Sequence, residues 1–221
     1  AAIAETGFIS GFDLPQLEAA RIAIEDVNEA GGVLGRPLEL VTADTKSDIP
    51  FGSNAALEVI EQGADFMIVT ADFDFGGAAA RIACENDMIA FSLGAESEKF
   101  GVQGLCENAF TAGTVAGAYS AGVAEWAHGE MGFRSAYVLL DTAFEYPKQL
   151  CDGFTGRWAE LEGTSIVGED TFLQDDPSIP SQVTRIENLS PQPDFLFICS
   201  VPPGGPSAVR QIRAAGVDTP I

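Results

Sequence analysis

Residues 20–40 constrain this chain more than any other stretch. Leu17, Ala20, Ile24 and Val27 recur at helical spacing on one face, while Glu18, Arg21, Glu25 and Glu29 occupy the other. Gly31 and Gly32 follow, and glycine readily takes the positive φ that ends a helix. Pro37 then stiffens entry into an apolar run, 38–43, of strand length. Helix, double-glycine stop, tight turn and strand in this order make the α-to-β step of an α/β protein. Alone, the step identifies no function.

The step recurs along the chain, as a parallel sheet with crossover helices requires. The first half is predicted as strand 3–9, helix 15–30, strand 38–43, helix 53–62, strand 66–70, helix 77–85 and strand 89–92. A polar, glycine-bearing loop covers 93–107, and a short extended piece covers 108–111. Ala112, Gly113 and Thr114 lead into a long Ala/Gly-rich helix ending near Ala127. This Gly/Thr step is the expected crossing between two lobes, 1–112 and 113–221. The second lobe restarts with strand 136–140, helix 147–161 and strand 165–170. Ser178 is expected to cap a helix with Pro180 in its first turn and Ile179, Val183, Ile186 and Leu189 inward. Strand 195–199 and helix 207–215 follow, and 219–221 reads as the opening of another strand. The expected fold class is therefore α/β: two Rossmann-like lobes of parallel sheet flanked by helices, the second incomplete in this chain.

Charge excludes one class of partner. The chain carries 33 acidic against 11 basic residues, a net charge of −22. Nucleic-acid affinity comes mainly from Lys and Arg on phosphates, so no nucleic acid is expected as a partner. No apolar run approaches the ~18–20 residues of a membrane helix, so no direct insertion is expected. Residues 1–9 lack the basic start and apolar core of a signal peptide; an exported protein would be present here in processed form. The four cysteines show no Cys-x-x-Cys spacing. In an oxidising compartment the expected pairs are Cys84–Cys106 and Cys151–Cys199, one bridge in each half; four buried thiols are the alternative.

Catalytic motifs are absent. His128 is the lone histidine, and neither a Gly-x-Ser-x-Gly elbow nor a phosphate-binding glycine loop occurs. No enzyme activity, cofactor or metal is expected. In parallel α/β sheets, ligands bind beyond the carboxyl ends of the strands. The segments expected there are 71–77, 93–97, 141–146 and 200–204. The first is unusual, with Phe73, Asp74, Phe75 and Gly76 on an expected loop after Asp72. Either the two rings line a ligand, or they plug the core beneath.

Taken in order, Ser10-Gly11, the Asn28-x-x-Gly31-Gly32 turn and the strand ending at Asp44 resemble the type I periplasmic solute-binding proteins of ABC transporters, in the branched-chain amino-acid (Leu/Ile/Val) branch. The resemblance runs to the last residue and covers what is expected to be the N-terminal portion of that fold. It implies an extracytoplasmic component of an importer, periplasmic or cell-surface attached, that traps a small polar ligand by hinge closure and docks on a membrane permease. It places the first hinge strand at the Ala112-Gly113-Thr114 step. It also implies ligand contacts from Phe73, Asp74, Phe75, Gly76, Ala95, Glu96 and Ser97 in the first lobe. In the second, Phe144 or Tyr146 would be an aromatic lid and Val201 an aliphatic wall. The pattern departs at Phe73 and Glu96, where amino-acid binders carry hydroxyl residues, so an amine, amide or hydroxyl head competes with an ordinary amino acid. A ligand-sensing receptor domain of the same fold, or less readily an α/β enzyme, are the other classes left by the sequence.

Overall fold

The computed structural model describes residues 1–221. Packing divides the chain into two compact units, Ala1–Thr114 and Val115–Ile221.

The first unit is built from β1 (Ala2–Ile3), α1 (Ser10–Glu29), β2 (Ala43–Asp44), α2 (Phe51–Glu61), β3 (Met67–Val69), α3 (Phe73–Glu85), β4 (Ala90–Ser92) and β5 (Ala109–Thr111). Its sheet runs β2-β1-β3-β4-β5, with every neighbouring pair parallel. The core is rich in alanine, with Ala55, Ala56, Ala79, Ala80 and Ala83 of the helices against Met67 and Val69. Small side chains let α2 lie close on α3: a Cβ at Gly52 would sit 3.1 Å from the Phe75 carbonyl.

The second unit contains α4 (Ala116–Gly129), β6 (Ser135–Asp141), α5 (Glu145–Glu160), β7 (Ser165–Phe172), α6 (Pro180–Glu187), β8 (Phe195–Cys199) and α7 (Gly204–Ala214). Its parallel sheet runs β7-β6-β8. Aromatic packing fills its core: Phe154 stacks on Phe197 at 4.0 Å and on Trp158 at 5.5 Å between ring centres. Helices α4 and α5 approach so closely that a Cβ on Gly153 would lie 2.3 Å from the Gly117 carbonyl. On the open side of β8, Leu196 donates its N–H to the Pro220 carbonyl (2.8 Å). An apolar groove of 710 Å³ runs there between Trp126, Phe133, Phe197 and Val209.

Residues 28–38 form a tight turn between α1 and β2. Gly31 and Gly32 take φ of +102° and +74°, and a Cβ at Gly32 would fall 2.1 Å from the Arg36 carbonyl. The Asn28 amide donates to the Leu38 carbonyl (2.9 Å) and accepts from the Leu38 N–H (2.6 Å), so a side chain imitates a strand neighbour.

Several element boundaries differ from the sequence expectation. Strand 3–9 shortens to β1 because the N–H groups of Glu5 and Thr6 donate to the Asp44 carboxylate rather than to a strand. Strand 38–43 reduces to β2, its start being held by Asn28. Helix α1 begins at Ser10, five residues before Pro15. Asp13 accounts for this early turn: it is fully buried and ties α1 to two strand ends. Ser178 caps nothing, since Ile179 occupies the N-cap of α6 without a side-chain bond. The expected loop 71–77 is the first turn of α3, set by Asp72.

Disulfides link Cys84 of α3 to Cys106, and Cys151 of α5 to Cys199 at the end of β8. No helix is long and apolar enough to cross a membrane.

Candidate functional site

The carboxyl ends of β1 and β3 meet at Asp13. One Asp13 oxygen accepts from Ala4 N–H (2.8 Å) and the other from Ala71 N–H (3.0 Å). Burial pushes its carboxyl above the usual range, against those two backbone bonds and the neighbouring Thr70 hydroxyl. Sequence reading missed this residue. An acidic residue two positions after Ser10-Gly11 looks like an ordinary first-turn helix acid, and only the tertiary fold shows what it holds.

Asp72 follows directly on Ala71. Its side chain accepts from Asp74 N–H (2.8 Å) and Phe75 N–H (3.4 Å), satisfying two of the free donors of α3. Burial raises its pKa to about 6, helped by the charges of Asp74 and Asp13 and opposed by the two cap bonds. Gly76 is buried, and a Cβ there would lie 2.5 Å from the Thr70 carbonyl, so glycine lets α3 sit on the end of β3. Phe75 is buried and meets Phe8 edge-on at 5.9 Å. Phe73 packs on the core of the unit and covers Gly77. Both rings therefore have packing roles. Asp74 is half-buried in the same turn.

After β4, Ser92 organises the next segment. Its hydroxyl donates to the Thr70 carbonyl (3.1 Å) and accepts from Gly94 and Ala95 N–H (3.3 and 2.9 Å). Ala95 is fully buried, Glu96 half-buried, and Ser97 buried with its hydroxyl accepting from Lys99 N–H (3.1 Å). A Cβ at Gly113 would stand 2.7 Å from Glu96 Cγ, so glycine at 113 makes room for Glu96. The fold thus gathers Phe73, Asp74, Gly76, Ala95, Glu96 and Ser97 at adjoining strand ends, with Phe75 beneath them.

In the second unit Asp141 closes β6. It is fully buried, accepting from Ala143 N–H (3.0 Å) and from the Ser200 hydroxyl (2.8 Å) beyond β8. Phe144 is the extended N-cap of α5, and Glu145 and Tyr146 form its first turn. All three are half-buried. Val201 follows Ser200, and its carbonyl accepts from Gly205 N–H (3.1 Å) at the start of α7. Phe144, Tyr146 and Val201 thus stand at the carboxyl ends of neighbouring strands. His128 bonds the Glu162 carbonyl (3.0 Å) and lies edge-on to Trp158. No group of three or more His, Cys, Asp or Glu side chains is arranged to hold a metal ion.

Comparison with known proteins places the fold. The curated Leu/Ile/Val-binding protein homolog 3 of Brucella melitensis is 23% identical over 96% of this chain and 56% of its own length. The substrate-binding protein LivJ of Streptococcus pneumoniae, solved with isoleucine, superposes with a TM-score of 0.88 at 19% identity, over 99% of this chain and 61% of that one. The leucine-binding protein LivK of Thermotoga maritima gives 0.81 at 24% identity, over 98% of this chain and 59% of that one. The chain therefore spans about three-fifths of the length of these relatives. The profile of the periplasmic binding proteins matches residues 2–221, and the chain belongs to that family.

Proposed function

We propose that this chain belongs to the extracytoplasmic solute-binding component of an ABC importer. It takes a small polar ligand and delivers it to a membrane permease. The observation that carries the reading is the strand-end placement of candidate contacts in each unit, within a family match that runs along the whole chain. In the first unit the contacts are Phe73, Asp74, Glu96 and Ser97, with Phe75 supporting the turn. In the second they are Phe144, Tyr146 and Val201. The two units, taken as lobes, would close about Thr111–Thr114. Closure requires that the ligand interact more favourably with the closed form, because equal affinity for both forms shifts nothing.

Catalysis has no part in this reading. A thermal-shift screen of amino acids, amines, amides and aromatic acids tests it. Stabilisation by one compound that is recovered unchanged is the expected result, and consumption of that compound would point to an enzyme.

A further inference from the structure

Resting on that binding reading, we propose that Asp141, Ser200 and the Cys151–Cys199 bridge are positioning groups that hold the candidate aromatic contacts of the second unit in place for a solute. The segment from Asp141 to Cys151 carries Phe144 and Tyr146, and its two ends are fastened to two consecutive residues. At one end the Ser200 hydroxyl donates to the Asp141 carboxylate (2.8 Å), and at the other Cys151 is bonded to Cys199. Strand register makes this possible. Leu140 of β6 pairs with Cys199 of β8, so Asp141 and Ser200 come one residue beyond the last pair on each strand. Residues 141–151 are thereby closed into a ring by one covalent bond and one hydrogen bond to a buried carboxylate.

The first turn of α5 has no cap of its own. Phe144 occupies the N-cap without a side-chain bond to the free N–H groups, which Ser, Asp or Asn would supply. Within the ring the second Asp141 oxygen accepts from Ala143 N–H (3.0 Å), which fixes the residue just before Phe144. Ser200 leads directly into Val201, so the aromatic and the aliphatic contacts of the second unit share the same fastening. Asp141, Cys151 and Cys199 are buried, whereas Phe144 and Tyr146 are half-buried. The fastenings are withdrawn from solvent, and the side chains they position are not. A segment ordered before binding loses little freedom on binding, so more of the contact energy appears as affinity.

Two measurements on the full chain test this. In the unliganded protein, hydrogen exchange of amides 143–150 should be at least about tenfold faster in Ser200→Ala, Asp141→Ala and Cys151→Ala/Cys199→Ala than in the parent, with β6 amides 136–140 unchanged. Calorimetric titration then uses isoleucine, benzylamine, benzamide and benzoate. A probe that the parent binds should bind each of these variants at least about tenfold more weakly. Asp141→Asn keeps an acceptor for Ala143 and offers a donor to Ser200, so it should retain parental exchange and affinity. Ile212→Ala, which removes a buried side chain of α7 outside the ring, should lower the melting temperature with neither effect. If the double cysteine variant does not fold, Ser200→Ala decides alone. Parental exchange or parental affinity in Ser200→Ala overturns the proposal. So does a loss in Asp141→Asn equal to that in Asp141→Ala, which would make Asp141 a direct contact. No binding of any probe by the parent counts against the solute reading itself, and exchange alone then decides whether the ring holds the segment.

Discussion

At the residue scale, the buried Asp13 and the half-buried Asp72 do opposite things. Asp13 is the sole partner drawn to the N–H groups of both Ala4 and Ala71. Asp13→Ala should lower unfolding stability by ~2–4 kcal/mol, since two donors lose their acceptor, and Asp13→Asn should cost less. Denaturant midpoints at constant slope would show it. Asp72 has a folded pKa of about 6 against 3.8 for the free group, so the folded state binds this proton more tightly. Its contribution to stability is fully present below about pH 4 and is lost as pH rises through 6. Asp72→Asn keeps the cap and removes the charge. It should therefore be more stable than the parent by on the order of 2 kcal/mol at pH 8 and equal to it below pH 4. Parallel melting curves across that range decide the matter; a constant difference at every pH would contradict the assignment. Neither role was legible in the sequence. Asp13 looks like a helix acid and Asp72 like a loop acid until the strands bring Ala4, Ala71 and α3 together.

At the element scale, two glycines of α5 predict opposite outcomes. Gly153 lies against Gly117 of α4, whereas a Cβ at Gly156 meets nothing within 4 Å. Gly153→Ala should destabilise by ~2 kcal/mol or more through overpacking, and Gly156→Ala should stabilise by ~0.5–1 kcal/mol through helix propensity. Calorimetric melting of the pair would check both signs. Removing Cys151–Cys199, whose partners are 48 residues apart, should cost roughly 3–4 kcal/mol by the chain-entropy estimate. Element existence was readable because it rests on local periodicity: Phe154 and Trp158 of α5 and Ile186 of α6 point inward as their spacing requires. Boundaries were less so. The start of α3 follows from Asp72 as a cap, and the shortened β1 and β2 follow from side chains of Asp44 and Asn28 that replace strand partners. The bonds of Asp44 and Asn28 join residues ten to forty apart, beyond any local pattern, whereas the Asp72 cap spans only two and three residues.

At the scale of the whole molecule, two parallel α/β units present polar and aromatic side chains at their strand ends, and the family match spans both. The family was readable from the order of weak motifs along the chain. The ligand was not, because the side chains that would select it come from separate strand ends that no local pattern relates. A bound solute at ~100 times its Kd should add about 2.7 kcal/mol to stability, roughly 5–11 °C for a chain of this size. The most direct measurement takes the best compound from the thermal-shift screen and titrates it into the parent, Glu96→Ala and Tyr146→Ala. The account predicts that each substitution weakens binding by at least about tenfold, with melting temperature preserved and the compound recovered intact. Unchanged affinity in both variants would contradict it.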